Sequence, residues 1–197
     1  MPRGLIRFQE TRRSHFVTFS CYHRLPKFSS PELYDRFAQC LEDMRRRFSM
    51  SIYGYVVMPE HVHLLLSEPK VGLLADAIHY LKLSFSKRQK SSVAQVRARS
   101  LGANLGSTAV EAGSFWQKRY YDRNVRDAEE FSVKLRYLHR NPVKRGLCQR
   151  PEDWKWSSFR HYALREFGVV EIESEWTARD RETQAAGGAA RVFLSPG

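Results

Sequence analysis

The spacing of apolar residues switches several times along this chain between the two-residue period of a strand and the three-to-four-residue period of a helix. Strands are predicted at His15–Cys21, Ile52–Met58 and His61–Ser67, with a fourth within Phe115–Asn124. Helical periods follow the first, third and fourth of these strands. The order β-α-β-β-α-β predicts a ferredoxin-like (RRM-like) α+β fold, in which an antiparallel sheet carries two helices on one face and leaves the other face free.

Short polar segments predict where the helices begin and end. Ser30-Pro31 supplies an N-cap and a proline in the first turn of the first helix. Asp127 with Glu130 predicts a capping box for a further helix after the fourth strand. Asn141-Pro142 predicts the end of that helix, because the residue before a proline is disfavoured in helical conformation.

Composition predicts the domain limits. Residues 1–176 are expected to form a single domain, since the apolar periods stop near its end. Within it, residues 89–114 are rich in Ser, Ala, Gly and Arg and predict a long flexible loop. The Ala- and Gly-rich residues 177–197 predict a disordered tail.

The chain carries a large excess of positive charge. There are 33 Lys and Arg residues against 21 Asp and Glu, which gives a net charge of +12 and a pI near 9.9. Such an excess predicts a polyanionic partner, nucleic acid first. No apolar run reaches the roughly 18 residues of a membrane-spanning helix, so no membrane partner is expected. Cys21, Cys40 and Cys148 form no CxxC pair and predict a reducing compartment, the cytoplasm.

Two histidines in the third predicted strand are the sharpest candidates for chemistry. His61 and His63 lie two residues apart, so on a strand their side chains point to the same face. Val62, Leu64 and Leu66 point the other way, into the predicted core. Two adjacent imidazoles can bind one divalent cation, each oriented by a hydrogen bond to its other ring nitrogen. The alternative is a pair of surface histidines, because so short a motif often arises by chance.

The helix after the fourth strand carries a second group of polar candidates. Lys134, Tyr137 and Asn141 are spaced three and four residues apart, on a flank distinct from the apolar stripe. The amide oxygen of an asparagine is a suitable ligand for Mg²⁺ or Mn²⁺. Equally, an asparagine before proline is an ordinary helix terminator, and a helix tyrosine often packs in a core. Tyr120 and Tyr121 are rival candidates for a reactive tyrosine.

Basic residues surround these candidates. Residues 131–151 contain no Asp or Glu but six Lys and Arg. Such groups are expected to bind phosphates with a salt-sensitive, largely sequence-independent affinity. The residues predicted to do so are Arg12, Arg13, Lys118, Arg119, Lys134, Arg140, Lys144 and Arg145. A solvated cationic face without a ligand is the alternative for any single charge.

Two segments in order resemble a known family. Residues 58–66 (Met-Pro-Glu-His-Val-His-Leu-Leu-Leu), followed by residues 136–147 (Arg-Tyr-Leu-His-Arg-Asn-Pro-Val-Lys-Arg-Gly-Leu), resemble the HUH-type single-tyrosine transposases, and most of all their REP-associated branch. The resemblance extends over most of the chain, from the strand after Arg13 to Trp156–Arg160.

The resemblance implies a role for each candidate residue. His61, His63 and Asn141 would bind the divalent metal, Mg²⁺ or Mn²⁺, and Tyr137 would be the catalytic nucleophile. The implied activity is metal-dependent cleavage and rejoining of single-stranded or hairpin DNA of the REP type, through a covalent 5′-phosphotyrosine intermediate. Such an enzyme would act in the cytoplasm, at the nucleoid. A homodimer is compatible with the resemblance, because in some family members the histidines and the tyrosine of one site come from different subunits.

Two other functions fit the same residues. One is a non-catalytic binder of structured DNA or RNA on the same fold, which would use the open sheet face. The other is a metal-dependent phosphodiesterase in which an activated water replaces the tyrosine. Both differ from the transposase in leaving no DNA attached to the protein.

Overall fold

The structure, a computed structural model, describes residues 14–100 and 114–192, with side chains for residues 14–91 and 114–184. Four strands and five α-helices lie within these ranges. The strands are β1 (His15–Ser20), β2 (Ile52–Val57), β3 (His61–Leu66) and β4 (Tyr121–Asn124). The helices are α1 (Pro31–Arg47), α2 (Leu74–Ser100), α3 (Ala128–Lys144), α4 (Phe159–Leu164) and α5 (Glu175–Val192).

The four strands form one antiparallel sheet in the order β2-β3-β1-β4. The chain follows β1-α1-β2-β3-α2-β4, which confirms the predicted ferredoxin-like α+β fold. β1 and β3 are the two central strands, and Thr18 lies directly opposite His63 in their register. The candidate histidines therefore lie in the middle of the sheet, where both neighbouring strands restrain their backbone.

One face of the sheet packs against α1 and α2. The strand residues that point this way alternate with those of the other face, as the two-residue period predicts. They include Val17 and Phe19 of β1 and Val62, Leu64 and Leu66 of β3, and all are fully or almost fully buried. They meet the apolar stripes of the two helices, formed by Phe37, Leu41, Met44, Ile78, Leu81 and Phe85.

The opposite face is not free, which corrects the prediction from the β-α-β-β-α-β order. Helix α3 packs across β2 and β3 on this face. Its Leu138 is fully buried against a small second core, which contains Phe16, Val56, Met58, Leu65 and Val125. The physical reason is the apolar stripe of α3 itself, which needs a surface to cover it, and the sheet offers the nearest one.

A glycine in β2 allows this helix to approach closely. A Cβ atom at Gly54 would lie 2.7 Å from Leu135 Cδ1 and 3.4 Å from Leu138 Cδ1, both on α3. Real side chains essentially never tolerate the shorter of these distances. A side chain at residue 54 would therefore require the Leu135 side chain to move, and Gly54 leaves room for it.

Helix α3 does not end at Asn141-Pro142, which corrects a second prediction. The helix passes through Pro142 and reaches Lys144, because a proline removes one donor without preventing the next turn from closing. Arg145 N still donates to Asn141 O at 3.0 Å. The chain leaves the helix at Gly146, whose φ of +69° is the left-handed conformation typical of a C-terminal glycine.

The start of α3 confirms half of the predicted capping box. Asp127 Oδ1 accepts a hydrogen bond from Glu130 N at 2.7 Å. The Glu130 carboxylate accepts from Arg126 N at 3.1 Å, one residue before the N-cap. Both interactions satisfy backbone donors at the entrance to the helix.

Two helices extend beyond the limits that composition predicts. Helix α2 continues to Ser100, inside the loop predicted for 89–114, because Gln, Lys, Ala and Arg favour a helix without forming an apolar stripe. Residues 101–113 of that loop lie outside the described residues. Helix α5 occupies Glu175–Val192, where a disordered tail was predicted, and so crosses the predicted domain limit at 176. Strand β4, Tyr121–Asn124, lies within the segment 115–124 predicted to supply a fourth strand, and confirms it.

Among the helices of the described ranges, none has both the length and the apolar character that a membrane crossing requires.

Candidate active site

The two histidines of β3 face the same way, as their spacing predicts. His61 Nε2 and His63 Nε2 are 3.0 Å apart, on the α3 face of the sheet. His63 is 5% exposed, and the His61 side chain is also largely buried. The two Nε2 atoms therefore point to one position, beside the contact between α3 and the sheet.

The other ring nitrogen of each histidine has its own partner. His63 Nδ1 lies 2.7 Å from Thr18 Oγ1 on the neighbouring strand. His61 Nδ1 lies 3.2 Å from Glu60 Oε1, in the turn between β2 and β3. Such outer partners fix the orientation of an imidazole and leave its remaining nitrogen available for a ligand.

Both histidines are held in the neutral form that binds metals. Burial, together with the nearby positive charge of His61 and Lys134, lowers the pKa of His63 to about 3. Burial also lowers the pKa of His61, although Glu60 acts in the opposite direction. A neutral imidazole has a free lone pair at physiological pH, which is the state that coordinates a cation.

The histidine geometry fits a divalent cation. Two ligands at right angles, each about 2.1 Å from an ion, are about 3.0 Å apart, which matches the separation of the two Nε2 atoms. Within residues 14–100 and 114–192, no group of three or more His, Cys, Asp or Glu side chains could hold a metal. A third protein ligand from the described residues would therefore be of another type, such as an amide oxygen.

Helix α3 brings Tyr137 to the histidines. The Tyr137 ring lies edge-on to the His63 ring with centroids 5.4 Å apart, and to the Phe16 ring at 6.0 Å. The tyrosine is 41% exposed, so a large ligand can reach it from solvent while its ring contacts the site. Asn141 lies one helical turn further on and is buried. Tyr137 and both histidines belong to one chain.

Three contacts position α3 on the sheet, and none was predicted from the sequence. His139 Nε2 lies 2.8 Å from Ser158 Oγ, which in turn accepts a hydrogen bond from Tyr55 N of β2 at 3.0 Å. Arg145 Nη2 donates to Glu60 Oε1 at 2.5 Å. The only sequence signal for these contacts was position, since three of the residues lie inside the two segments that resemble the transposases, 58–66 and 136–147. These residues are His139, Glu60 and Arg145.

The residues predicted to bind phosphates fall into four groups. Lys134 and Lys144 lie beside the site, with Lys134 Nζ 5.0 Å from the Phe16 ring centroid and Lys144 Nζ 5.8 Å from that of Tyr137. Arg145 is paired with Glu60, so its structural contact is a carboxylate. Lys118, Arg119 and Arg140 are exposed and lie away from the site's ring contacts. Arg12 and Arg13 lie outside the described residues.

The rival tyrosines are separated by the structure. Tyr120 packs against the core formed with α1 and α2. Tyr121 lies in β4 opposite Thr18, on the same face as His63, and is 49% exposed. Among the ring contacts of the described residues, His63 is approached by Tyr137 and Phe16 but not by Tyr121. The geometry thus favours Tyr137 over both rivals.

Comparison with known proteins gives concordant matches. The family model "Transposase IS200 like" matches residues 9–141, a range that contains both histidines, Tyr137 and Asn141. A REP-associated tyrosine transposase of Haemophilus influenzae is 30% identical over 126 residues, covering 64% of this chain and 68% of that protein. The REP-associated tyrosine transposase of Escherichia coli K12 is 24% identical over 132 residues, covering 67% of this chain and 68% of that protein.

A solved structure shares the fold. The structure of a REP-associated tyrosine transposase bound to a REP hairpin superposes with a TM-score of 0.63 at 18% identity, over 88% of this chain and 93% of that one. The family model alone matches more than half of the chain, which therefore belongs to the IS200-like transposase family. Within that family it is a member of the REP-associated tyrosine transposases.

Proposed function

We propose that this protein cleaves and rejoins single-stranded or hairpin DNA of the REP type, with Tyr137 as the nucleophile and a divalent metal, Mg²⁺ or Mn²⁺, as cofactor. The observation that carries the proposal is the contact between Tyr137 and His63, beside the converging Nε2 atoms of the histidine pair. Neither feature contributes to the main apolar core. Together they support Tyr137 as a nucleophile beside a cation site at the two histidines.

His61, His63 and Asn141 would hold the metal. Two neutral imidazoles and an amide oxygen suit a hard or borderline divalent ion that retains open positions for substrate. When bound there, such an ion supplies Lewis-acid polarisation of a non-bridging phosphate oxygen. Thr18 and Glu60 keep the two rings oriented through their Nδ1 atoms.

The Tyr137 oxygen would attack the scissile phosphorus. A bond forms between the phenolic oxygen and phosphorus, and the bond from phosphorus to the 3′-oxygen breaks. The 3′-oxygen leaves with the electron pair and takes a proton to become a 3′-hydroxyl, while the phenolic proton passes to solvent. The product is a 5′-phosphotyrosine, and attack by a 3′-hydroxyl reverses the step without any nucleotide cofactor.

The phenol needs electrostatic help to react. A neutral phenol is a weak nucleophile, and a nearby cation or base assists its reaction. Lys144 Nζ lies 5.8 Å from the Tyr137 ring, and Lys134 lies against the neighbouring Phe16 ring. Both cations would stabilise the additional negative charge that develops on the phosphate in the transition state.

The DNA partner is inferred from charge and from the relatives. The net charge of +12 and the exposed Lys118, Arg119 and Arg140 suit a phosphate backbone. A structural relative is bound to a REP hairpin. We extend that partner to this chain, which would then work in the cytoplasm at the nucleoid. Because one chain supplies both the histidines and Tyr137, the proposed chemistry does not require the homodimer that the resemblance allows.

A denaturing gel tests the proposal. Stem–loop DNAs with randomised single-stranded flanks are first selected for binding to the protein, then labelled and incubated with it and Mn²⁺ or Mg²⁺. Wild type should form a covalent protein–DNA adduct that chelator prevents, and Tyr137→Phe should form none. Tyr121→Phe, a tyrosine on the same face, is the matched control and should still form the adduct.

The alternative functions give different gels. A non-catalytic binder would retain DNA in a native gel, with or without chelator, and leave it uncleaved. A phosphodiesterase that uses water would cleave DNA and leave nothing attached to the protein. Adduct formation by Tyr137→Phe at the wild-type level would show that Tyr137 is not the nucleophile.

A further inference from the structure

Helix α3 covers only part of its face of the sheet. It packs over β2, β3 and Phe16 of β1, and the rest of the face is formed by the following residues of β1 and by the edge strand β4. We call this part the open strip and define it by Thr18, Ser20, Tyr121 and Arg123. These residues share one face because the register places Thr18 opposite both Tyr121 and His63, and side chains on a strand alternate.

The open strip continues directly from the histidine pair. Thr18 belongs to both, since its Oγ1 lies 2.7 Å from His63 Nδ1. Tyr121 is two strands away from His63 in the same row, a distance of about 10 Å at the usual spacing between strands. A polymer bound with one of its phosphates at the histidines would therefore lie within reach of Tyr121.

Tyr121 presents an aromatic surface that the protein does not use. Its side chain is 49% exposed, and among the described residues no other ring and no cation stacks on it. The neighbouring Tyr120, by contrast, is partly buried and packs against the core. An exposed aromatic ring on an open sheet is a common platform for nucleic-acid bases, because every base has a π-face.

The charges around the open strip favour a nucleic acid over a protein or a lipid surface. Lys118 and Arg119 are exposed just before β4, and Lys134 lies on the opposite side, over Phe16. The nearest carboxylates are already neutralised. Asp122 points to the other face and is paired with His15, while Glu130 is paired with Arg123 and Arg126.

From this arrangement we infer that Tyr121 stacks on a base of the single strand that flanks the scissile phosphate. The inference rests on the proposed function, which places that phosphate at the histidine pair. Tyr121 would thus position the strand without taking part in bond breaking. This stacking would make the single-stranded flank a binding element of its own, in addition to the hairpin stem.

The test uses a fluorescent base and does not depend on cleavage. A stem–loop that the protein binds is made with 2-aminopurine at successive positions on each side of the junction between stem and flank. It is bound to Tyr137→Phe, which keeps the strand intact, and to the same protein carrying Tyr121→Ala, Tyr121→Phe or Tyr121→Trp. Phe167→Ala, an aromatic ring 79% exposed between α4 and α5, is the matched control.

One flanking position should be quenched by proteins with Phe, Tyr or Trp at residue 121, and released from quenching by Tyr121→Ala. The affinity for the flanked stem–loop should fall roughly 5- to 150-fold in Tyr121→Ala, the range of one base stack. Affinity for the stem without its flank should be unchanged, as should every measurement on Phe167→Ala. A melting temperature near that of wild type would show that Tyr121→Ala is folded.

Equal quenching and affinity in Tyr121→Ala would overturn the inference. So would a loss in Tyr121→Phe as large as that in Tyr121→Ala, because the hydroxyl and not the ring would then matter. Failure of the proposed function is distinguishable, because it would appear as an adduct formed by Tyr137→Phe. That result does not depend on the fluorescence measurements.

Discussion

The two faces of one strand, β3, perform different tasks. Leu64 points to α1 and α2 and is fully buried among aliphatic and aromatic side chains. His63, its neighbour in sequence, points to α3 and is also buried, but its contacts are Thr18, His61 and the rings of Phe16 and Tyr137. The first face is built for packing, and the second holds polar groups at fixed positions.

Of the two faces of β3, the one that packs against α1 and α2 is better suited to stability. Burial opposes protonation of His63 and lowers its pKa to about 3, so this residue resists titration but does not gain stability from charge. A leucine in its place would bury apolar surface without desolvating a ring nitrogen. A polar residue kept where an apolar one would pack better is typical of a functional site.

The largest expected effect comes from replacing His63 on the polar face. His63→Ala should abolish adduct formation and weaken Mn²⁺ binding more than about 100-fold, because the outer partners of a metal ligand already contribute about 10- to 100-fold. Isothermal titration calorimetry with Mn²⁺ measures the affinity. His79→Ala, an exposed histidine on α2, is the control and should bind Mn²⁺ as wild type does. Unchanged Mn²⁺ affinity in His63→Ala would mean that the α3 face of β3 does not hold the metal site.

The next prediction concerns Leu64, on the face of β3 that packs against α1 and α2. Leu64→Ala should lower the free energy of unfolding by about 2–5 kcal/mol, because it leaves a cavity in a fully buried core. Urea denaturation measures this free energy. The folded fraction of Leu64→Ala should still bind Mn²⁺. The account predicts a larger loss of stability for Leu64→Ala than for His63→Ala. The reverse order would mean that the polar face carries the stability of the sheet.

A smaller effect is expected where α3 reaches the β2–β3 turn. Glu60 accepts from Arg145 and lies against His61 Nδ1, so Glu60→Ala should weaken Mn²⁺ binding about 10- to 100-fold. Arg145→Ala should also weaken Mn²⁺ binding, whereas Arg140→Ala, an exposed arginine of the same helix, should weaken DNA binding alone. If Arg145→Ala behaves like Arg140→Ala, then Arg145 contacts phosphate and does not position the site.

The smallest effect concerns a buried charge on the packed side of the sheet. Burial lowers the pKa of His15, but Asp122 at 2.9 Å and Glu68 at 3.3 Å more than offset this, so its pKa is raised. A raised pKa contributes stability that is present below the unfolded value of about 6.5 and is lost as pH rises through the folded pKa. The advantage of wild type over His15→Gln in urea denaturation should therefore shrink as pH rises.

That measurement must be a difference between two proteins. The other buried histidines have lowered pKa values and contribute with the opposite sign, losing stability as pH falls. They are His61, His63, His139 and His161. Since both proteins contain them, their contributions cancel in the difference. An advantage of wild type that grows with rising pH would contradict the assigned direction for His15.

Much of the packed face could be predicted from the sequence, because it depends on periodicity. The alternation in β1 and β3 and the stripe of α1 gave the correct elements and the correct ferredoxin-like order. The same alternation correctly predicted that His61 and His63 point together and away from Leu64. Local patterns determine these features, so local reasoning finds them.

The polar face was less predictable, because it depends on contacts between distant parts of the chain. Nothing local to Thr18 indicates that it would meet His63, or that Ser158 would meet His139. Gly54 leaves room for Leu135 of α3, and its missing side chain matters only once the helix is there. Pro142 was a misleading local signal, since the packing of α3 carries the helix through it.

The central claim is that Tyr137 becomes covalently attached to DNA. The adduct can be treated with nuclease and trypsin, and the nucleotide remnant located by mass spectrometry. Cleavage after Arg136 and Arg140 releases residues 137–140, whereas Tyr120 and Tyr121 are released together in residues 120–123. The account predicts a phosphotyrosine-linked nucleotide on peptide 137–140. A remnant on peptide 120–123, or cleaved DNA without any modified tyrosine, would contradict it.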